Sequence, residues 1–177
     1  MKHHYYLEKM GWEPHKVPHD KEKRKYGFNI NEIWNLDIES IFWLYEHLMR
    51  YFDTAKDIVD LNFRKVRIPV LTETEQTADE WFHKVKEASI STYSNVTGKY
   101  EVTFVEMTQE QAIGICLKYL ADFVHHTCNE DEYDYESHND EENKIHILED
   151  AYKDACVYEK ASTALKIYSE LLPMMWI

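Results

Sequence analysis

Apolar residues recur at helical spacing in four stretches of this chain. In the first, from Asp37 to about Leu61, Ile38, Ile41, Phe42, Tyr45, Leu48, Met49 and Phe52 make one broad stripe. Asp37 is the expected N-cap, because its short carboxylate can accept from the free backbone N–H groups of a first turn. Trp34 and Leu36 stand just upstream, where they can pack back as a staple. The second stretch opens on Thr77-Ala-Asp-Glu80, a capping box, and runs to about Thr92 with Trp81, Val85 and Ala88 inward. The third opens on a second box, Thr108-Gln-Glu-Gln111, and carries Ile113, Leu117, Leu120 and Val124 to about His126. The fourth, roughly Glu141–Leu172, repeats every seven residues at Ala151, Tyr158, Leu165 and Leu172, and again at Leu148, Ala155 and Ser162. Such a repeat predicts one seam held against a neighbouring helix.

Two shorter segments alternate instead. Arg67–Leu71 and Lys99–Met107, with Tyr100, Val102 and Phe104 on one face, predict strands that pair as a small ribbon. Residues 1–30, broken by Pro14 and Pro18 and turning at Gly27, read as an irregular, mildly basic arm, and residues 31–177 as a single helical domain. The expected fold is therefore mainly α, a bundle of about four main helices with a small two-stranded β-ribbon. The apolar tail Pro173–Ile177 must be buried or used.

Composition agrees with long helices. Gly and Pro number only four each, and 44% of the 177 residues are hydrophobic. The three cysteines, Cys116, Cys128 and Cys156, form no C-x-x-C pair and read as reduced thiols of an intracellular protein. No apolar run follows Met1 and none is long enough to span a bilayer, so a cytoplasmic protein without membrane contact is expected.

Charge changes the picture more. The net charge is -13, and eight carboxylates with no lysine or arginine fall between Asn129 and Glu142. They are Glu130, Asp131, Glu132, Asp134, Glu136, Asp140, Glu141 and Glu142, interleaved with Tyr133 and Tyr135. A dense acidic patch repels nucleic acid and anionic membrane and attracts basic protein surfaces, and tyrosines add contact area at low entropic cost. The same run also reads as a solvated acidic loop between two helices.

Catalytic templates are scarce. There is no phosphate-binding glycine loop and no nucleophile elbow. A metal knuckle from His125, His126, Cys128 and His138 would lack the second half of any known zinc spacing. The sharpest enzyme alternative is a carboxylate-bridged metal site, which takes Glu and Glu-x-x-His from facing helices. Glu80-Trp-Phe-His83 is one literal match, and Glu39, His125 and Glu149 lie on the other helices. Against it, Glu80 is already the capping-box carboxylate, Asp122 lies opposite its helix's stripe, and Glu39, Glu46 and Asp53 fall on a solvated flank. No cofactor is expected.

The segment Gly27–Asp37 with its W-x-L-D, the pair Glu80-Trp81, and Ala164–Trp176 resemble a scattered set of uncharacterised phage and prophage proteins with helix starts of this kind and a Trp-terminated last helix. The resemblance implies a helical fold and a phage source, hence a bacterial host cytosol, and no activity. Its matched residues, Trp34, Leu36, Asp37 and Trp81, read as capping and packing residues. Together these features lead to the expectation of a non-enzymatic acidic phage accessory protein. Its partner would be a basic, nucleic-acid-handling host defence protein, engaged as a DNA mimic. A self-assembling phage component, joined through its last helix, is the alternative.

Overall fold

The computed structural model describes residues 5–11, 36–87, 99–129 and 134–175. In chain order these form α1 (Tyr5–Lys9), α2 (Leu36–Ala55), β1 (Lys65–Glu73), α3 (Ala78–Glu87), β2 (Tyr100–Thr108), α4 (Gln109–Cys128) and α5 (Asp140–Leu171). The fold is mainly helical with a small antiparallel ribbon, as the periodicities predict. Helices α4 and α5 form the central pair. α2 packs on α4, α3 leans on α5, and β1 lies across α5 and α4.

The stripe of α2 is buried as expected, with Ile41, Phe42, Leu44, Tyr45 and Leu48 against Ile113, Cys116, Leu117, Leu120 and Val124 of α4. The helix is shorter than its stripe suggests. After Ala55 the N–H groups of Asp57 and Ile58 reach back only three residues, to Thr54 and Ala55, and the tightened turn ends the helix. Its other end begins at Leu36, which puts Asp37 inside the first turn, and Trp34 lies outside the described residues. Both capping boxes are formed. Thr77 and Glu80 exchange backbone–side-chain bonds at the start of α3, and Thr108 and Gln111 do so at α4. Trp81 is buried, whereas the expected continuation of α3 through Ala88 to Thr92 lies outside the described residues.

The two strands pair along their whole length, Lys65 opposite Thr108 and Glu73 opposite Tyr100. Pro69 sits mid-strand without breaking the ladder. The N–H of Leu71 points away from β2 and donates to Tyr119 Oη at 2.8 Å. Pro69 lies two residues back on that same edge, so its missing N–H costs no bond to β2. β1 buries Val66, Ile68 and Pro69, while β2 is the outer strand, with Val102 51% and Phe104 60% exposed.

Four expectations need correction. The N-terminal arm is not irregular throughout, because Tyr5–Lys9 is helical and buries Leu7 against the core. Glu46, expected on a solvated flank, is 1% exposed. It accepts from the N–H groups of Tyr6 (3.0 Å) and Leu7 (3.1 Å) and pairs with Arg50 at 2.7 Å, so it caps α1 and pins it to α2. Asp53 adds a hydrogen bond from the Tyr6 hydroxyl.

Asp122 is not simply water-facing either, since it is half-buried and pairs with Lys160 at 2.5 Å. The seven-residue seam of α5 does not hold, because Ser162, Leu165 and Leu172 are exposed. A straight helix drifts about 20° per heptad, and α5 changes neighbours along its length. Its first half packs Leu148, Ala151, Tyr152 and Ala155 on Trp81 of α3. Its second half buries Ala161, Ala164, Ile167 and Leu171 in the main core. The tail is partly used: Met174 and Met175 pack on that core.

Candidate functional site

The acidic run is only partly a loop. Asp134 caps a single 3-10 turn, Tyr135–Ser137, by accepting from the Glu136 N–H at 3.1 Å. Asn139 then caps α5, accepting from Glu141 and Glu142 N–H at 3.0 Å each, while Glu142 reaches back to the Asn139 N–H. This third capping box, Asn139-x-x-Glu142, follows the same pattern as the two found from sequence, with Asn in place of Thr. Asp140, Glu141 and Glu142 therefore form the first turn of α5, where the helix dipole favours negative charge. Asp134, Glu136, Asp140, Glu141 and Glu142 are all exposed. Glu130, Asp131, Glu132 and Tyr133 lie outside the described residues, as does the Tyr135 side chain.

Directly beside this turn, α3 and α5 enclose a groove of about 430 Å³. Trp81, Leu148 and Ala151, buried or half-buried, make its floor, the exposed Phe82, Ile145 and Ile147 serve as its lips, and Glu141 and Lys144 complete the lining. Comparisons of the chain with protein-family models, with characterised proteins and with solved structures give no match.

A second cluster, with no local signature in the sequence, lies where the Glu73–Tyr100 end of the ribbon meets α5. Tyr100 lies within electrostatic reach of Cys156 and Glu159, and Tyr152 of Cys156 and Tyr100, with Lys160 5.7 Å from the Tyr100 ring centre and Lys99 5.8 Å from that of Tyr152. Burial pushes the Cys156 thiol up to about 11 and the Tyr152 hydroxyl to about 12, and raises the Tyr100 hydroxyl as well. Glu159, 9% exposed, is pushed by burial to about 7, partly offset by Lys166. It finds no hydrogen-bond partner among the described residues. Every shift favours the neutral, protonated form, which is the reverse of what an activated thiolate or phenolate requires. Cys116 and Cys128 are likewise raised by burial, so Cys128 beside His125 and His126 is not primed as a nucleophile.

The residues of the metal alternative are not brought together. Glu80 serves the α3 capping box, His83 and Glu149 are exposed, His125 is exposed near the end of α4, and Glu39 sits in the first turns of α2. Among the described residues, no three His, Cys, Asp or Glu side chains are grouped closely enough to hold a metal ion. Two histidines hydrogen-bond with carboxylates instead, His126 of α4 with Asp154 of α5 (2.7 Å) and His146 with Asp150 one turn on (2.8 Å). No described helix is long and apolar enough to cross a membrane.

Proposed function

We propose that this chain is a non-enzymatic acidic binding protein whose partner is a protein with a basic surface. The observation that carries the reading is the exposed row of carboxylates, Asp134, Glu136, Asp140, Glu141 and Glu142, held by two successive caps at the entry of a 32-residue helix. Three of the five sit on regular helix, so their spacing is preset and little ordering entropy is lost when a partner binds. A net charge of -13 speeds encounter with cationic surfaces and opposes direct contact with nucleic acid.

In its specific form, the carboxylates stand in for phosphates in the nucleic-acid groove of a host defence protein, and the chain is a phage accessory factor of the bacterial cytosol. The test is competition. A nucleic-acid-binding protein captured by this chain should release its nucleic acid when the chain is added. The chain carrying Asp134→Asn, Glu136→Gln, Asp140→Asn, Glu141→Gln and Glu142→Gln should not displace it. Equal displacement by both would sink the mimicry reading.

Self-association is the second reading, favoured by β2, whose outer position leaves Val102, Phe104 and Val105 exposed on one strand. The last helix, whose seven-residue repeat suggests this role, has much of its apolar surface occupied within the chain. Sedimentation of the intact protein separates the two: a dimer lost on Phe104→Lys would favour assembly.

A further inference from the structure

The groove between α3 and α5 is more than a seam between packed helices. Its floor is closed by Trp81, 1% exposed, whereas Ile145 and Ile147 on its lips leave 56% and 55% of their surfaces in water, and Phe82 38%. Single exposed apolar residues are ordinary. Three of them bordering one concave, apolar-floored groove mark a surface that gains by being covered.

Charge says what kind of cover fits. Glu141 and Lys144, 4.0 Å apart, both line the groove, and Asp140 and Glu142 share the first turn of α5 with Glu141, so carboxylates outnumber the lysine three to one at this end of the helix. Two copies meeting lip to lip would each carry -13 into the contact, and the carboxylates oppose a nucleic acid or an anionic lipid surface.

Shape narrows the choice further. The walls are helices, and the α5 side runs from Glu141 to Ala151, eleven residues rising about 15 Å, under three turns. A third helix laid into such a pair presents side chains at i, i+3 or i+4 and i+7 over that length.

We infer that the α3–α5 groove receives an amphipathic helix of a partner protein, its aliphatic stripe set between Ile145, Ile147 and Phe82 and its lysines or arginines over Asp140–Glu142. The inference rests on the reading of the chain as an acidic binding protein and names the element it recognises.

The test uses an ~18-residue Leu/Lys peptide patterned as an amphipathic helix, a scrambled peptide of the same composition, and fluorescence anisotropy with the full chain. The patterned peptide should bind at least about tenfold tighter than the scrambled one. The double change Ile145→Ser, Ile147→Ser, made at exposed positions with helicity checked by circular dichroism, should remove that advantage, about the effect of one lost anchor. Equal binding of both peptides, lost only when Asp140, Glu141 and Glu142 are neutralised, would overturn the groove and leave the acidic reading standing. Binding that needs Ile145 and Ile147 but survives neutralisation would keep the groove and sink the acidic reading. No binding of the patterned peptide, or a self-association that the double change abolishes, would also overturn the inference.

Discussion

Glu159 makes the most quantitative demand on this structure. Unfolded, its carboxyl ionises near 4.5, and in the folded protein burial raises that to about 7. Between those values the folded state holds a proton that the unfolded state has lost, so stability falls as pH rises through the interval. Below 4.5 both states are protonated and nothing is lost, and above 7 the penalty is complete. At about 1.4 kcal/mol for each pH unit, the full penalty is about 3 kcal/mol. The change Glu159→Gln keeps the shape and removes the titration.

The variant should therefore gain about 2.5 kcal/mol more, relative to the natural chain, at pH 8 than at pH 5. For a protein of this size that is a shift of about 5–10 °C in Tm. Urea unfolding followed by circular dichroism at the two pH values, at constant ionic strength, measures it directly. The midpoint should move with the slope unchanged. An equal effect of the substitution at pH 5 and pH 8 would refute the reasoning, because it would mean that Glu159 is solvated or paired in the folded protein.

Three further outcomes follow from the packing. Glu46→Ala leaves the Tyr6 and Leu7 N–H groups without their carboxylate acceptor and removes the pairing with Arg50, at a cost of about 1–3 kcal/mol. Hydrogen exchange should show residues 5–9 released while α4 stays protected. Thr108→Ala removes the side chain that caps α4 and should lower unfolding free energy by about 1 kcal/mol in chemical denaturation. Trp81→Ala empties the contact between α3 and α5 and should cost about 3–5 kcal/mol, with the near-ultraviolet tryptophan signal changed and the α2–α4 core still cooperative.

The features legible in the sequence were those set by neighbours within a few residues. Thr77-x-x-Glu80 and Thr108-x-x-Gln111 announce helix starts because a box closes within one turn, and both are formed. The α2 stripe and the alternation of Lys99–Met107 were readable for the same reason. What escaped depends on distant partners. Glu46 looks like a flank carboxylate until α1, some forty residues away, supplies two N–H donors. Glu159 lies in a stretch whose heptads suggested one seam, while the helix serves α3 in one half and α4 with β1 in the other. Its burial has no local signature. The acidic run was plain as composition. That Asp140–Glu142 begin a helix was readable only through Asn139-x-x-Glu142, and the adjoining groove needed α3 folded against α5.

The central claim is that the exposed carboxylates at the entry of α5 bind a basic protein surface. Affinity capture from nuclease-treated bacterial extract, run side by side with the natural chain and with the variant neutralised at Asp134, Glu136, Asp140, Glu141 and Glu142, tests it most directly. The account predicts a nucleic-acid-handling partner that the natural chain retains, that elutes as salt rises, and that the neutralised chain fails to hold. A partner retained equally by both chains would contradict it.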